Sequence, residues 1–502
     1  MQPWSVRYPA TLMVCPPTAF ADLGLIHDLP DQALRGRVSM MQEHNAVMRR
    51  FALIASPSIC AQNPDKCLNG DHSICAGRPV QYYGPLNALF DPHLATLSHK
   101  LDNLETVELT SDMVDFAGRL FSMSANLCSA ENQRQVPVFE LLREMFPGGS
   151  AKPGVYWPHS LIFELKNEKG SQGNPQVQAA VDYINIFCDN ALSRHLWGRS
   201  NCPSVLLSLA GTELMISSVI FTDTVYLNTL YSEDLSGSFD MDKRVVRLAR
   251  ALQALKETFV GLSKFYTGLK TNPDPAPRGG SHLFPKPVRV EGPDDEVLLE
   301  TLGLRFIKKL SRTGVQVVNA EEERAERQAN MTHAIYVATS SGRCSSIPVG
   351  EVVVKFAERY NVEAHNILAN ANLAPKLYYH CAVLGGCTMI VMEHIQGKMA
   401  LFWEIENRKM EKTVFQDIGR AINLLHENDI VFGDLRLPNI MVLQDNRAVL
   451  VDFDWAAKQG EGRYPSMLSR AIIWPQGVKE YGRMEKEHDV YMLNALRQFC
   501  KE

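Results

Sequence analysis

The spacing of apolar residues changes along the chain, and each change predicts an element. From Arg244 to Tyr266 apolar residues recur at intervals of three and four, which predicts an amphipathic helix. Two apolar runs around a Gly-Thr turn between Ser204 and Phe221 predict a pair of β-strands. Further runs at 352–354, 439–443 and 448–451 predict strands, and a tight hairpin turn joins the last two. Because both kinds of element occur, we expect an α+β fold.

A break in this pattern divides the chain. Thr271 to Glu296 is rich in Pro and Gly and poor in periodic apolar residues, which predicts an extended linker. The expected domains are therefore residues 1–270 and 297–502, joined by residues 271–296. The fold of residues 1–100 stays open, because a helical pattern there is followed by a loop-like stretch of unusual length.

Composition is that of an ordinary soluble globular protein, with 502 residues, 45% of them hydrophobic and 21% charged. The net charge of -5 argues against a wholly basic nucleic-acid binder. We expect no signal peptide, because the first residues lack a basic segment followed by an apolar one. We expect no transmembrane helix, since no apolar run reaches about 18 residues. The 11 cysteines are then expected to be reduced thiols in an intracellular protein, with cytoplasm or nucleus left open.

Candidate chemistry begins at Lys355, which directly follows the β-branched run 352–354 and is expected at the end of a buried strand. A cation there can neutralise the α- and β-phosphates of ATP, although an exposed strand-end lysine would give the same pattern. Glu363 begins a helical segment soon afterwards. Its carboxylate can pair with Lys355, and the alternative is a solvated Glu on a helix face.

A second group of polar residues follows. Asp434 and Asn439 in FGDLRLPNI are five positions apart, and Asp452 comes 13 positions after Asn439. A carboxylate can orient the proton of an attacking hydroxyl, while amide and carboxylate oxygens suit Mg²⁺. Each residue alone could equally be a polar turn residue. Together their order and spacing match the D-L-x-x-x-N loop and the later metal-binding Asp of protein kinases.

Residues from Thr313 to Leu496 thus resemble a protein kinase domain. The resemblance implies a two-lobed fold with a shortened C-lobe that binds ATP and Mg²⁺ and transfers a phosphoryl group. It implies phosphate binding by Lys355 with Glu363 as its partner, and catalysis by Asp434 with Asn439 and Asp452 on the metal.

The same resemblance implies two further features. MIVMEHIQG is similar to the strand and hinge that receive adenine, which places backbone groups of Glu393, His394 and Ile395 at the base. Asp489 is similar to the residue that braces the catalytic loop. The absence of G-x-G-x-x-G before Lys355 and the shortened C-lobe leave a nucleotide-binding pseudokinase scaffold as an alternative. Two further departures are F-G-D in place of H-R-D and Asp454 in place of the glycine of D-F-G.

Another constellation lies in the first half, in HSLIFELKNEKGSQGNPQVQAAVDY. Strand alternation places Glu164 and Lys166 on one face, where they could bind Mg²⁺ and orient a water molecule. Gln178, on the following helix, is expected near the same site. The alternative for Glu164 and Lys166 is a plain ion pair at the end of a strand.

This stretch resembles the PD-(D/E)xK restriction-endonuclease-like domain, with Glu131 and Arg134 on a preceding helix. With the kinase-like half, and the phrases DFDW and EGRYP, the chain resembles crinkler-type effector proteins of oomycetes and fungi, of the basidiomycete kinase-like type. The aspartate of the usual K-P-D is Gly154 here. A degenerate nuclease fold that binds without cleaving is therefore expected in preference to an active nuclease.

The function expected from the sequence is an ATP-dependent phosphotransferase acting on a protein hydroxyl. The alternatives are the pseudokinase scaffold and a Mg²⁺-dependent nuclease effector whose kinase half is regulatory. ATP and a protein substrate are the expected partners, nucleic acid is left open for the first domain, and no membrane is expected. The phosphoacceptor and the oligomeric state are not predicted by any pattern in the chain.

Overall fold

The computed structural model describes residues 56–63, 74–77, 84–148, 155–157, 159–168, 173–188, 194–271, 278–292, 297–310, 334–469 and 472–502. Gly154 and the helical pattern at residues 30–54 lie outside this set.

A six-stranded sheet forms the centre of the N-terminal half in the described residues. Its strands are β1 (Ile74–Cys75), β2 (Val155–Trp157), β3 (Leu161–Lys166), β4 (Ser204–Ala210), β5 (Glu213–Phe221) and β6 (Val225–Asp234). Their spatial order is β1-β6-β5-β4-β3-β2, with β1–β6 and β3–β4 parallel and the other pairs antiparallel. The strand pair predicted between Ser204 and Phe221 is confirmed as β4 and β5. All residues of β3 and β4 are buried, as in strands covered on both faces.

Helices flank this sheet. They are α1 (Pro57–Gln62), α2 (Pro92–Asp102), α3 (Ser111–Ala125), α4 (Glu131–Met145), α5 (Pro175–Cys188), α6 (Arg194–Trp197) and α7 (Met241–Thr271). The helix predicted from Arg244 to Tyr266 is confirmed as part of α7. Its buried side carries Leu248, Leu252 and Leu255, at the three- and four-residue spacing that predicted it, and it packs on α2 and α3.

An antiparallel sheet of five strands in the described residues opens the second half. It contains β7 (Leu304–Lys309), β8 (Ile335–Ser340), β9 (Gly350–Ala357), β10 (Leu377–Val383) and β11 (Cys387–Glu393), in the order β10-β11-β9-β8-β7. Helix α8 (Leu298–Leu302) precedes β7, and helix α9 (Val362–Asn370) connects β9 to β10. The strand predicted at 352–354 is confirmed as the middle of β9.

Helices and short strands complete the second half. The remaining elements are β12 (Gly397–Met399), α10 (Leu401–Ile405), α11 (Lys412–Glu427), β13 (Ile430–Val431), β14 (Ile440–Leu443), β15 (Ala448–Leu450), β16 (Ala457–Lys458) and α12 (Lys486–Leu496). The predicted hairpin is confirmed, since β14 and β15 pair antiparallel. Helix α11 buries one apolar face on a core formed with α9, β14 and β15.

The described residues of the Pro- and Gly-rich segment pack against the rest of the protein. A 3₁₀ helix spans Arg278–Leu283, and the next residue, Phe284, is buried. The Lys286 N–H donates to the Leu89 carbonyl at 2.7 Å, and the Val290 N–H donates to the Ala382 carbonyl at 3.1 Å. This segment therefore contacts both halves of the protein, while the domain boundaries themselves remain a prediction.

The two halves share one hydrophobic core. It runs from helices α2, α3 and α7 through the six-stranded sheet to β7, β8, β9 and β11. At the contact, Lys309 on β7 forms an ion pair with Asp223 at 3.0 Å and lies 3.3 Å from the Tyr226 hydroxyl. The five-stranded sheet is therefore held against the N-terminal half by both apolar and charged contacts.

The mixed α+β class expected from the sequence is confirmed. The finer assignment of a restriction-endonuclease-like domain stays a proposal. Among the described residues, no helix combines the length and apolar character needed to cross a membrane. Cys60 is disulfide-bonded, so the expectation of reduced thiols is wrong at that residue.

Candidate functional site

Lys355 projects from β9 into a buried group of charges. The residue is only 6% exposed, so its ammonium group needs partners within the protein. Its Nζ lies 2.7 Å from Asp452 Oδ1 and 2.6 Å from Asp454 Oδ1, and 5.5 Å from the centre of the Tyr360 ring. Burial alone would lower the pKa of Lys355, but the two carboxylates outweigh it and raise that pKa above its usual value.

The predicted pair between Glu363 and Lys355 does not form. The Glu363 side chain is 57% exposed, and its carboxylate contacts Lys458 at 3.1 Å. Helix α9 is nine residues long and starts one residue before Glu363. It buries Ala364, His365 and Leu368, and the 100° step per residue turns Glu363 away from that buried face. The role of Glu363 is therefore corrected: it is a surface residue that contacts Lys458 and does not contact Lys355.

His365, and not Glu363, is the residue of α9 whose polar side chain is buried. Its ring stacks on Phe453 with centroids 4.7 Å apart. One ring nitrogen lies 2.8 Å from the Tyr360 hydroxyl and the other 2.8 Å from the Pro375 carbonyl. Burial lowers the pKa of His365 to about 4, so the ring is neutral at pH 7 and donates from Nε2 to the carbonyl. These contacts give His365 a structural role.

Asp434 and Asn439 lie together in a loop between β13 and β14. The Asn439 Nδ2 donates to the Asp434 carbonyl and to Asp434 Oδ2, both at 2.8 Å. Arg436 forms a fork on the same carboxylate, with Nη2 at 2.6 Å from Oδ2. Burial raises the pKa of Asp434, while the bonds from Arg436 and Asn439 act to lower it. Arg436 also lies 5.6 Å from the ring of Trp455, and sequence reasoning gave it no role.

Asp452 follows β15, and its Oδ1 lies 2.7 Å from Lys355 Nζ. The Val451 N–H donates to the Asn439 carbonyl at 2.9 Å, which fixes the segment beside the Asp434 loop. Asp452 has a φ of 73°, in the left-handed region that side chains rarely adopt. Such strain persists where surrounding contacts hold it and is common at functional sites. Asp452 therefore lies beside Lys355 on one side and beside the loop of Asp434 and Asn439 on the other. These four residues are together called the cleft below.

Asp489 braces the loop that carries Asp434. One of its carboxylate oxygens accepts the Phe432 N–H at 2.7 Å and the other accepts the Gly433 N–H at 2.9 Å. His426 of α11 contacts the same carboxylate at 3.1 Å. The prediction that Asp489 braces this loop is confirmed, since both bonds reach the residues directly before Asp434.

The predicted adenine segment joins β11 to β12. The Glu393 N–H already donates to the Lys376 carbonyl at 2.9 Å, and the Glu393 carboxylate accepts the Lys376 N–H at 3.1 Å. The His394 ring lies 2.9 Å from Glu351, and Ile395 is half-buried. The segment connects the five-stranded sheet to the helical part, beside β9.

Comparison with known proteins agrees with the motifs. No family model matches the chain. The chain is 34% identical over 115 residues, 22% of its length, to a probable serine/threonine-protein kinase of Clostridium acetobutylicum. It is 31% identical over 117 residues, 21% of its length, to another of Dictyostelium discoideum. The chain contains a protein-kinase-like region.

The likeness is partial in each case. The matches cover 17% of the length of each curated relative, so the chain spans about a sixth of the relatives it matches. Among solved structures, the granulovirus kinase PK-1 of Cydia pomonella is matched with a TM-score of 0.27 and 19% identity, over 33% of this chain and 62% of that one.

The cleft of the kinase-like region has atoms that suit a divalent cation. Because the Asn439 Nδ2 is committed to Asp434, its Oδ1 is the atom that could face a metal. No ready cluster of three His, Cys, Asp or Glu ligands occurs in the described part of the chain. A cation here would therefore take its other ligands from nucleotide phosphates and water, as Mg²⁺ commonly does.

A second polar cluster lies between β3 and α5, outside the kinase-like region. Glu164 and Lys166 are buried on β3, and Gln178 and Asp182 come from one face of α5. Asp182 and Gln178 both act on the pKa of the Glu164 carboxyl, which places them close to it. One oxygen each of Glu164, Gln178 and Asp182 has no hydrogen-bond partner among the described residues. Burial first, and then the Asp182 carboxyl, raise the pKa of Glu164 above its usual value.

Asp182 was missed by sequence reasoning, although it lies four residues after Gln178, on the same face of the helix. Glu131 on α4 approaches the cluster, with its carboxylate 4.0 Å from Lys166 Nζ. Arg134 instead donates to the Ser124 carbonyl at 2.6 Å and the Gly211 carbonyl at 2.7 Å. Arg134 therefore holds the backbone together and does not enter the cluster.

Proposed function

We propose that the kinase-like region transfers the γ-phosphoryl group of ATP, with Mg²⁺, to a hydroxyl group of a protein. One observation supports the proposal: Asp452 contacts the buried ammonium group of Lys355, and the residue before it is bonded to the loop in which Asn439 holds Asp434. Phosphoryl transfer depends mainly on positioning and charge stabilisation, and these side chains are of the types that supply both.

Each residue has a proposed role. Asp434, held by Arg436 and Asn439, orients the attacking hydroxyl. Lys355 binds the α- and β-phosphates, while Asn439 and Asp452 hold the cation that neutralises the phosphates. Adenine contacts are assigned to the backbone of the segment Glu393–Ile395. Because the Glu393 N–H is already bonded, they fall mainly to His394 and Ile395.

The test is incubation of the full chain with γ-labelled ATP, Mg²⁺ and candidate proteins. We expect label on protein hydroxyl groups, and a loss of roughly 10²- to 10⁴-fold in Asp434→Asn, the range for removing a general base. Label transfer that survives unchanged in Asp434→Asn would refute the role of that carboxylate. Tight Mg²⁺-dependent ATP binding with no transfer to any protein would favour the pseudokinase scaffold.

A second candidate function belongs to the cluster of Glu164, Lys166, Gln178 and Asp182. It is favoured by the Glu164–Asp182 pair, since Asp182 supplies a second carboxylate where the K-P-D motif has Gly154. Two carboxylates and a lysine suit a Mg²⁺-dependent phosphodiester hydrolase. Together with the motifs FELKNE, FGDLRLPNI and DFDW, this cluster supports the further proposal of a crinkler-type protein with a restriction-endonuclease-like domain.

The full chain, incubated with DNA or RNA and Mg²⁺, tests this second candidate. Cleavage that is lost in Glu164→Gln and kept in Glu140→Gln, an exposed position on α4, would support an active nuclease. Binding without cleavage would support a degenerate domain that serves as a binding module. Absence of both cleavage and binding would remove nucleic acid as a partner.

A further inference from the structure

Lys355 and its counter-ions come from two short segments of the chain. The Lys355 Nζ contacts Asp452 and Asp454 at 2.7 and 2.6 Å, while Glu363 contacts Lys458 on the surface. Glu363, the residue that the kinase resemblance pairs with Lys355, therefore pairs with Lys458 instead. Because the Lys355 side chain is only 8% exposed, its ammonium group still needs a negative charge beside it.

The two aspartates are not equivalent in the proposed function. Asp452 is assigned to the metal ion, so its carboxylate cannot remain committed to Lys355 alone. Asp454 has no such second duty, and its Oδ1 is the nearer of the two to the Lys355 Nζ. We propose that Asp454 is the positioning residue of Lys355, the role that the sequence assigns to Glu363. This inference rests on the proposed function.

Other neighbours cannot take this role. Tyr360 offers Lys355 the face of its ring at 5.5 Å, and its hydroxyl is bonded to His365 at 2.8 Å. A ring face attracts a cation but gives it no charged hydrogen-bond acceptor. His365 is neutral at pH 7, because burial holds its pKa at about 4. Asp454 is thus the carboxylate available to Lys355 among these neighbours once Asp452 is engaged.

The segment that carries Asp454 is anchored to α9. The N–H of Asn361, the N-cap of α9, donates to the Phe453 carbonyl at 3.1 Å, and its side chain donates to the Ala456 carbonyl at 3.1 Å. The Phe453 ring lies under His365 at 4.7 Å. The counter-ion Asp454 therefore lies in the same segment as Asp452, the proposed metal ligand. Lys355 is then oriented by Asp454, and α9 does not need to rotate to bring Glu363 inward.

The experiment compares Asp454→Asn, Asp454→Glu and Glu363→Gln in the full chain. Dissociation constants for ATP with Mg²⁺ are measured by calorimetry, and KM and kcat by phosphoryl transfer. We expect Asp454→Asn to raise the Kd and KM by about tenfold or more, since Lys355 would lose its charged hydrogen-bond acceptor. Asp454→Glu should restore most of the affinity, because it keeps the carboxylate. Glu363→Gln should bind as the wild type does.

The outcomes separate this inference from the proposed function. A tenfold loss of affinity in Glu363→Gln would overturn the inference whether or not Asp454→Asn folds, because Glu363 is exposed and its replacement leaves the core untouched. Wild-type affinity in a folded Asp454→Asn would also overturn it, while the phosphoryl transfer of the wild type would still stand. A wild-type protein that neither binds nor uses ATP would instead refute the proposed function.

Discussion

His365, beside the cleft, is held in its neutral state by its surroundings. His365 is fully buried, with its two ring nitrogens against the Tyr360 hydroxyl and the Pro375 carbonyl. Desolvation disfavours the imidazolium, and the nearby Lys355 acts in the same direction. A proton added to His365 would therefore disturb the ring stack on Phe453 that supports the Asp452–Asp454 segment.

Stability should consequently fall in mild acid. Because the pKa of His365 is lowered from 6.5 to about 4 on folding, its contribution is present above pH 6.5 and is lost as the pH falls towards 4. The full shift corresponds to roughly 3 kcal/mol. We expect the free energy of unfolding, measured with urea at pH 7 and pH 5, to depend less on pH in His365→Gln than in the wild type. His380→Gln, at an exposed position, is the control and should keep the wild-type slope.

At the scale of elements, helix α12 fixes the loop between β13 and β14. Asp489 lies in its first turn and accepts N–H groups from Phe432 and Gly433. Gly433 has a φ of 78°, and an added Cβ there would lie 1.9 Å from the Met484 side chain. The F-G-D sequence therefore fits a tight turn that directs Asp434 into the cleft.

Asp489→Asn should weaken both the fold and the site. An amide has one acceptor oxygen, so one of the two backbone N–H groups would lose its charged partner, at a cost of about 1–3 kcal/mol. We expect a lower midpoint in urea and slower phosphoryl transfer. Glu487→Gln on the same turn of α12 is exposed and should change neither. Wild-type stability in Asp489→Asn would mean that the loop is held by other contacts.

These elements show what the sequence could and could not predict. Spacing predicted that Asp434 and Asn439 lie in one loop, because they are only five residues apart. That Asp452 lies beside Lys355 and beside that loop depends on long-range packing, and the roles of all four residues stay a prediction. The partner of Lys355 was wrong, since it depends on how α9 packs, and no local pattern records that packing. Asp182 was missed for another reason: it lies four residues after Gln178 on the same face of α5, so the helical period could have found it.

At the scale of the whole molecule, the N-terminal half and the five-stranded sheet act as one packed body. The Lys309–Asp223 ion pair is buried, with side chains 8% and 13% exposed, and the apolar core continues across it. The sequence predicted two domains joined by an extended linker, and the domain boundaries stay a prediction. That expectation overlooked the contacts of residues 278–292, because Pro and Gly content reports on local conformation and carries no information about burial.

Lys309→Met should destabilise the whole chain. It leaves the Asp223 carboxylate buried without its cation, and breaking a buried pair costs about 3–5 kcal/mol. Unfolding measured by urea should shift for both halves together, since they share one core. Lys308→Met, the neighbouring position on β7, is the matched control, and the double variant Lys309→Met with Asp223→Asn should recover part of the loss. Unfolding of one half alone would contradict the shared core.

We propose that the cleft of Lys355, Asp434, Asn439 and Asp452 performs metal-dependent phosphoryl transfer. The rate of γ-phosphoryl transfer from ATP is measured as a function of Mg²⁺ concentration in the wild type, in Asp452→Asn and in Asp445→Asn, an exposed aspartate of the β14–β15 turn. We expect a Mg²⁺-dependent rate that Asp445→Asn retains and Asp452→Asn loses. A rate that is independent of Mg²⁺, or is unchanged in Asp452→Asn, would contradict it.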